Sequence, residues 1–309
     1  MKKLTLILLL LMCLCACAAP AAAPAATPVP TATSLPSAPP APTATPTPTP
    51  EPTPEPTPEP TPEPTPEPPA AMAADGEHPR LVAHAGGAIY GYRFTNSLEA
   101  LDKAYASGFR FAELDFERTT DGEIVLIHDW KSMCARLLGE AGQRSLEEFR
   151  AADTLAGLTL LDLDALLIWM EAHPDCTVIT DIKEGDTLSM LAVIRERAGD
   201  MAEHFIPQAY SYEEVLALEE AGWERVILTF YHAVARPEEL RAFLSEHALW
   251  AVTMSEAKIT EELAAAVAES GTALYCHAIN SLDFVDAWRD KGLTGIYTDY
   301  FEPKHIDWE

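Results

Sequence analysis

From residue 80 to the C-terminus the chain repeats one alternation. A short apolar run is followed by a stretch with apolar residues every three or four positions. The short runs are Arg80–Ala83, Phe111–Phe116, Thr177–Thr180, His204–Gln208, Arg225–Thr229, Leu249–Thr253, Ala273–Cys276 and Gly295–Tyr297. The intervening periodicity predicts helices over Ser97–Ser107, Leu161–His173, Leu188–Ala198, Tyr212–Ala221, Pro237–His247, Thr260–Ser270 and Leu282–Lys291. Strands separated by helices imply a parallel sheet. Eight such units over residues 77–309 predict an α/β fold, a (β/α)8 TIM barrel. A doubly wound open sheet is the alternative, but no Gly-x-Gly-x-x-Gly follows the first run to support it. Gly108, Gly222, Gly271 and Gly292 fall where helices should end. Asn96, with Glu99 three positions later, predicts a capping box at the first helix.

One strand-like run falls outside the eight. Ile124–Ile127 follows a turn signal at Asp121-Gly122 and reads as the return arm of a hairpin that extends strand 2. Glu113 and Asp115 lie at i and i+2 on that strand and so face one side. The hairpin returns His128-Asp129 to the same end of the sheet. Barrel active sites lie at the C-terminal ends of the strands. His84 ends strand 1, Glu113 and Asp115 end strand 2, Asp181 and Lys183 end strand 3, His277 and Asn280 follow strand 7, and Asp299 follows strand 8.

Glu113, Asp115 and Asp181 offer oxygen ligands only, which favours Mg²⁺ or Ca²⁺ over zinc or copper. Without a cation, three carboxylates in one mouth would repel. His84 and His128 are the acid/base candidates, since imidazole titrates near neutral pH. Lys183, two residues after Asp181, is expected to offer positive charge to an anionic substrate. Asp129 either orients an imidazole or caps a turn. Tyr210, Tyr231, His277 and Asp299 read more readily as rim packing than as chemistry. These groups together suit metal-assisted cleavage of a phosphodiester.

The chain carries 48 Asp and Glu against 21 Lys and Arg, a formal net charge of −27. A basic nucleic-acid face is excluded on that balance, and an anionic substrate must be drawn in by local cations. Cys134, Cys176 and Cys276 are too few and too irregular for a disulfide framework. The oligomeric state is not legible.

The N-terminus is different in kind. Met1-Lys2-Lys3, an apolar run from Leu4 to Leu14 and then small residues read as a secretory signal over 1–17. Leu14-Cys15-Ala16-Cys17 resembles a bacterial lipobox, with Cys17 as the lipid-modified residue and a membrane anchor. A signal cleaved near the following alanines, releasing a secreted protein, is the alternative. Residues 18–76 are dominated by Ala, Pro, Thr and Glu and end in Glu-Pro-Thr-Pro repeats. Proline denies them helix and sheet, so they are expected to be a disordered, extended spacer of roughly 150 Å at about 3.1 Å per residue. The expected location is extracytoplasmic, at the cell surface.

The domain resembles the glycerophosphodiester phosphodiesterase family. The segments that carry the likeness are Ala83-His84-Ala85-Gly86-Gly87, Thr95-Asn96-Ser97, Glu113-Leu114-Asp115, the run from Thr119 to Asp129, Asp181-Ile182-Lys183, Tyr275 to Asn280 and Gly295 to Asp299. The resemblance implies a TIM barrel, His84 and His128 as the acid/base pair, a divalent cation on Glu113, Asp115 and Asp181, and glycerol phosphate with a free alcohol as products. Three positions depart from the family pattern. Ala85 stands where an arginine is usual, with Arg93 a candidate replacement. Thr95 stands for a glutamate, and Asp181 for another. An aspartate two residues before lysine also resembles the sphingomyelinase D type of phospholipase. A phospholipase acting on lipid headgroups with cyclic phosphate formation is therefore one alternative. A non-enzymatic surface binding protein is the other.

Overall fold

The computed structural model describes residues 78–182, 186–231 and 234–308. Residues 1–77, with Cys17 and the expected spacer, lie outside them, as does Lys183. Eight parallel strands close a barrel: β1 (Leu81–Ala83), β2 (Phe111–Arg118), β4 (Thr177–Ile182), β5 (Phe205–Ala209), β6 (Ile227–Thr229), β7 (Ala251–Ser255), β8 (Ala273–His277) and β9 (Gly295–Thr298). Each pairs with its neighbour in that order, and β1 pairs with both β2 and β9 to close the ring. The expected hairpin is present. β3 (Ile124–Leu126) runs antiparallel to the end of β2 and pairs with nothing else in the sheet. Its turn uses Gly122 at φ +87°, a conformation that costs a side-chain-bearing residue.

The alternation within each strand sorts residues between two cores. Leu81, Leu114, Phe116, Val178, Leu228, Val252 and Leu274 face outward and bury against the surrounding helices. Val82, Ile179, Ile206, Ile227, Trp250, Tyr275 and Tyr297 fill the barrel interior. Phe111, Trp250 and Tyr275 stack in that interior at centroid spacings of 5.8 Å, and the Tyr275 hydroxyl donates to the Pro79 carbonyl at 2.7 Å. The interior below the polar strand ends is therefore a packed plug and not a pore.

Helices cover the outside: α1 (Leu98–Ala106), α4 (Leu163–Ala172), α5 (Thr187–Ala198), α6 (Tyr212–Glu220), α7 (Pro237–Glu246), α8 (Glu261–Ser270) and α9 (Leu282–Trp288). Two short helices, α2 (Ser132–Leu138) and α3 (Leu146–Ala151), follow the hairpin and were not anticipated by the periodicity. Ser97, Asp162, Ser211, Thr260 and Ser281 cap N-termini with their side chains. Acidic residues such as Glu213, Glu214, Glu238, Glu239, Glu261 and Glu262 occupy first turns, where the helix dipole favours them. Part of the chain's acidity is thus placed by helix chemistry. The three domain cysteines are buried and free. Among the described residues no helix is long and apolar enough to cross a membrane.

The first helix corrects one expectation. Its cap is Ser97, which accepts from the Ala100 amide at 3.4 Å. Asn96 instead sits at φ +51°, and Glu99 accepts from the amide and hydroxyl of Thr159. The pattern of a capping box is present in the residues, but the left-handed turn at Asn96 takes its side chain elsewhere.

Candidate active site

The last inward-facing positions of β2 and β4 are carboxylates. Parallel pairing sets Asp115 beside Asp181 in register, and Glu113 lies one inward step below. One oxygen from each of the three lies within 4.8 Å of the others. Two oxygens on a common calcium at 2.3–2.6 Å can stand up to about 5 Å apart, so the set fits one hard cation. Its electrostatics point the same way. Burial, then the charges of Asp115 and Asp181, push the Glu113 carboxyl up to about 8, against the opposing pull of His84. Such a cluster is relieved by a proton or by a cation. The Tyr210 hydroxyl donates to Asp181.

Asp115 is clamped from behind. The Asn96 side-chain amide donates to its carboxylate at 2.8 Å, and the Asn96 carbonyl accepts the Asp115 backbone amide at 3.0 Å. Glu113 is held by the amide of Ala85 at 2.9 Å. Ala85 lies at φ +47°, a turn that aims its N–H at the carboxylate. The position where arginine is usual therefore serves through its backbone.

His84 follows β1 directly and stands between two carboxylates. Its Nδ1 pairs with Asp299 Oδ1 at 2.9 Å and its Nε2 lies 3.9 Å from Glu113. Burial alone would lower its pKa, but the Asp299 bond and the charges of Glu113, Asp299 and Asp115 raise it to about 9. Asp299 is itself buried and anchored by the Asn280 amide at 2.7 Å and by Arg93 at 3.4 Å. Arg93 thus braces Asp299.

His128 leaves the hairpin with Nδ1 on Asp129 Oδ2 at 2.9 Å. Asp129 also accepts from the amides of Lys131 and Met133 and from the Ser132 hydroxyl. It does both things expected of it, orienting an imidazole and capping the start of α2. Burial opposes its ionisation, yet those bonds hold its pKa well below the ordinary carboxylate range. Between the two imidazoles lies Phe94, edge-on to each at 5.0 Å.

These groups line a cavity of about 270 Å³ at the C-terminal end of the barrel, with His84, Glu113, Asp115, His128 and Asp181 in its wall. Every described residue of the predicted catalytic and metal sets is therefore brought together. Tyr210, Tyr231 and His277, expected to be rim packing, line the same cavity. Asn96 and Asp299 are the supporting residues that sequence reasoning misassigned. Tyr90, Tyr231, Val234 and Tyr300, on loops that follow strand C-terminal ends, are exposed.

Comparison with known proteins agrees with this geometry. Residues 84–302 match the model of the glycerophosphoryl diester phosphodiesterase family. A Mycobacterium tuberculosis protein named "Probable glycerophosphodiester phosphodiesterase 2" is 32% identical over 103 residues, which are 33% of this chain; the match spans 38% of that curated relative. A glycerophosphodiester phosphodiesterase from Thermotoga maritima superposes with a TM-score of 0.57 at 18% identity, covering 71% of this chain and 94% of that one. An Oleispira antarctica phosphodiesterase, solved with its product sn-glycerol-3-phosphate, gives 0.59 at 17% identity, covering 72% and 94%. The structural likenesses support the barrel.

Proposed function

The chain belongs to the glycerophosphoryl diester phosphodiesterase family, and from that membership we propose that its barrel hydrolyses glycerophosphodiesters to glycerol phosphate and a free alcohol. The observation that carries this reading is the convergence of three carboxylates and two imidazoles on one cavity. Glu113, Asp115 and Asp181 would hold a divalent cation, Ca²⁺ or Mg²⁺, which when bound supplies Lewis-acid charge to a phosphoryl oxygen.

The remaining steps belong to the side chains. Asp299 and Asp129 engage Nδ1 of His84 and His128 and orient the rings, and Nε2 is the atom of each that we assign to proton transfer. One imidazole takes the proton of the attacking water, or of a neighbouring substrate hydroxyl, in which case a cyclic phosphate forms first. The other returns a proton to the ester oxygen as its bond to phosphorus breaks. Lys183 is assigned to the phosphate as a positive charge. The product in the Oleispira structure is the class of product proposed here.

The test is an assay of the full chain on a panel of glycerophosphodiesters and lysophospholipids, with product identification. Glycerol phosphate plus free alcohol, lost in His84→Ala and His128→Ala, is the expected result. No turnover on any member, or turnover indifferent to both substitutions, sinks the proposal. The lysophospholipid arm of the panel separates this reading from action on an acyl-bearing substrate.

We also propose that residues 1–17 export the chain, that Cys17 carries the lipid and that residues 18–76 space the barrel from the membrane. Detergent-phase partitioning of the full chain, abolished by Cys17→Ala, is the expected outcome. Partitioning into the aqueous phase in both forms would favour a secreted protein.

A further inference from the structure

We propose that His277 reads the glycerol arm of the substrate, presenting a neutral Nε2–H donor to one of its hydroxyl oxygens. The inference rests on the glycerophosphodiesterase reading above and adds a specificity residue to it. His277 lines the cavity at the end of β8. Going round the barrel in either direction, three strands separate β8 from β4, so His277 stands across the mouth from Asp181. A phosphate drawn to a cation held by the carboxylates would leave its ester arm to extend toward that far wall. Thr229, Ser255 and Gln208 also line the cavity. They carry no charge, which suits a hydroxylated arm better than a charged headgroup.

The tautomer of His277 follows from Thr253. The Thr253 hydroxyl is fully buried and lies 2.9 Å from His277 Nδ1, its one hydrogen-bonding neighbour among the described residues. A buried hydroxyl that did not donate would leave its proton unsatisfied, at a cost. Thr253 therefore donates to Nδ1, and the ring proton resides on Nε2. Burial, with the positive charges of His84 and Lys258 acting in the same direction, lowers the ring's pKa to about 4. The imidazole is thus neutral near pH 7. Its Nε2 is buried and, among the described residues, has no hydrogen-bond partner. A donor left in that state is normally satisfied by something that arrives. The Tyr231 ring, half exposed and 5.9 Å away, flanks it on the cavity side.

The experiment compares glycerophosphocholine with propylphosphocholine, whose arm lacks both hydroxyls, on the full chain. Wild type should prefer the hydroxylated substrate. His277→Phe, which keeps an aromatic ring and removes the donor, should shrink the ratio of the two kcat/KM values about 10–100-fold, through KM. His277→Gln, which retains a side-chain N–H, should restore part of the ratio. Thr253→Val, which frees Nδ1, should shrink it in the same direction. An unchanged ratio in His277→Phe overturns the inference, and so does an equal loss on both substrates. Binding of glycerol 3-phosphate and propyl phosphate, followed by calorimetry, gives the same comparison without turnover. If wild type turns over neither diester, the functional reading fails on that ground. The binding ratio then decides the role of His277 by itself.

Discussion

Asn96→Ala is the substitution that most sharply separates the observed architecture from a simple helix cap. Two buried hydrogen bonds join Asn96 to Asp115, at 2.8 Å to the carboxylate and 3.0 Å from the backbone amide. A bond to an ionised group is worth about 1.5–3 kcal/mol, and an orphaned buried amide costs about 1–3 kcal/mol. The φ of +51° adds roughly 1 kcal/mol, because alanine visits that region less readily than asparagine. The expected loss is about 3.5–7 kcal/mol, a large share of a typical domain's stability. Ser97→Ala, which removes the actual cap, should cost only about 0.5–2 kcal/mol. Urea unfolding of both variants followed by circular dichroism measures the difference. Calcium or magnesium affinity should fall in Asn96→Ala and hold in Ser97→Ala, since only the former frees Asp115. Equal, small losses in the two variants would show that Asn96 is a capping residue and refute the clamp.

Further outcomes are expected elsewhere in the barrel. Asp299→Asn keeps the shape beside His84 but removes the carboxylate charge facing its Nδ1; kcat should drop about 10²–10⁴-fold, and stability should fall by about 1–3 kcal/mol because the buried carboxylate also holds Asn280 and Arg93. Gly295→Ala should destabilise by about 1–3 kcal/mol, because a Cβ there would lie 2.6 Å from the Arg80 carbonyl and 2.7 Å from the Tyr275 ring; thermal melting checks it. Asp129 has a folded-state pKa below its unfolded one, so its contribution is present above about pH 4 and is lost as pH falls further. Stability of Asp129→Ala measured between about pH 5 and 2 should therefore fall less steeply than that of wild type.

Much of this molecule can be read from its residues, and the exceptions share a cause. The barrel is legible because strand and helix periods alternate along the whole domain. The hairpin is legible because Asp121-Gly122 separates two alternating runs. Glu113, Asp115, Asp181, His84 and His128 are legible as a group because strand ends converge at one mouth whatever the details. Asn96 misleads because asparagine caps helices often and adopts left-handed φ often, and only backbone geometry distinguishes the two. Asp299 was undervalued because its partner His84 lies 215 residues away in sequence. Ala85 acts through a backbone N–H, which its identity does not disclose. The helices α2 and α3 span seven and six residues, too few for a helical period to declare itself.

The proposed reaction depends on a divalent cation that Glu113, Asp115 and Asp181 would jointly hold. The most direct measurement is glycerophosphodiester turnover by the full chain after EDTA treatment and then on titration of Ca²⁺ or Mg²⁺, in wild type and in Asp181→Asn. Wild-type turnover should vanish in EDTA and return with a saturable cation dependence, and Asp181→Asn should need at least about ten times more cation. Full turnover in excess EDTA, or an unshifted cation dependence in Asp181→Asn, would contradict it.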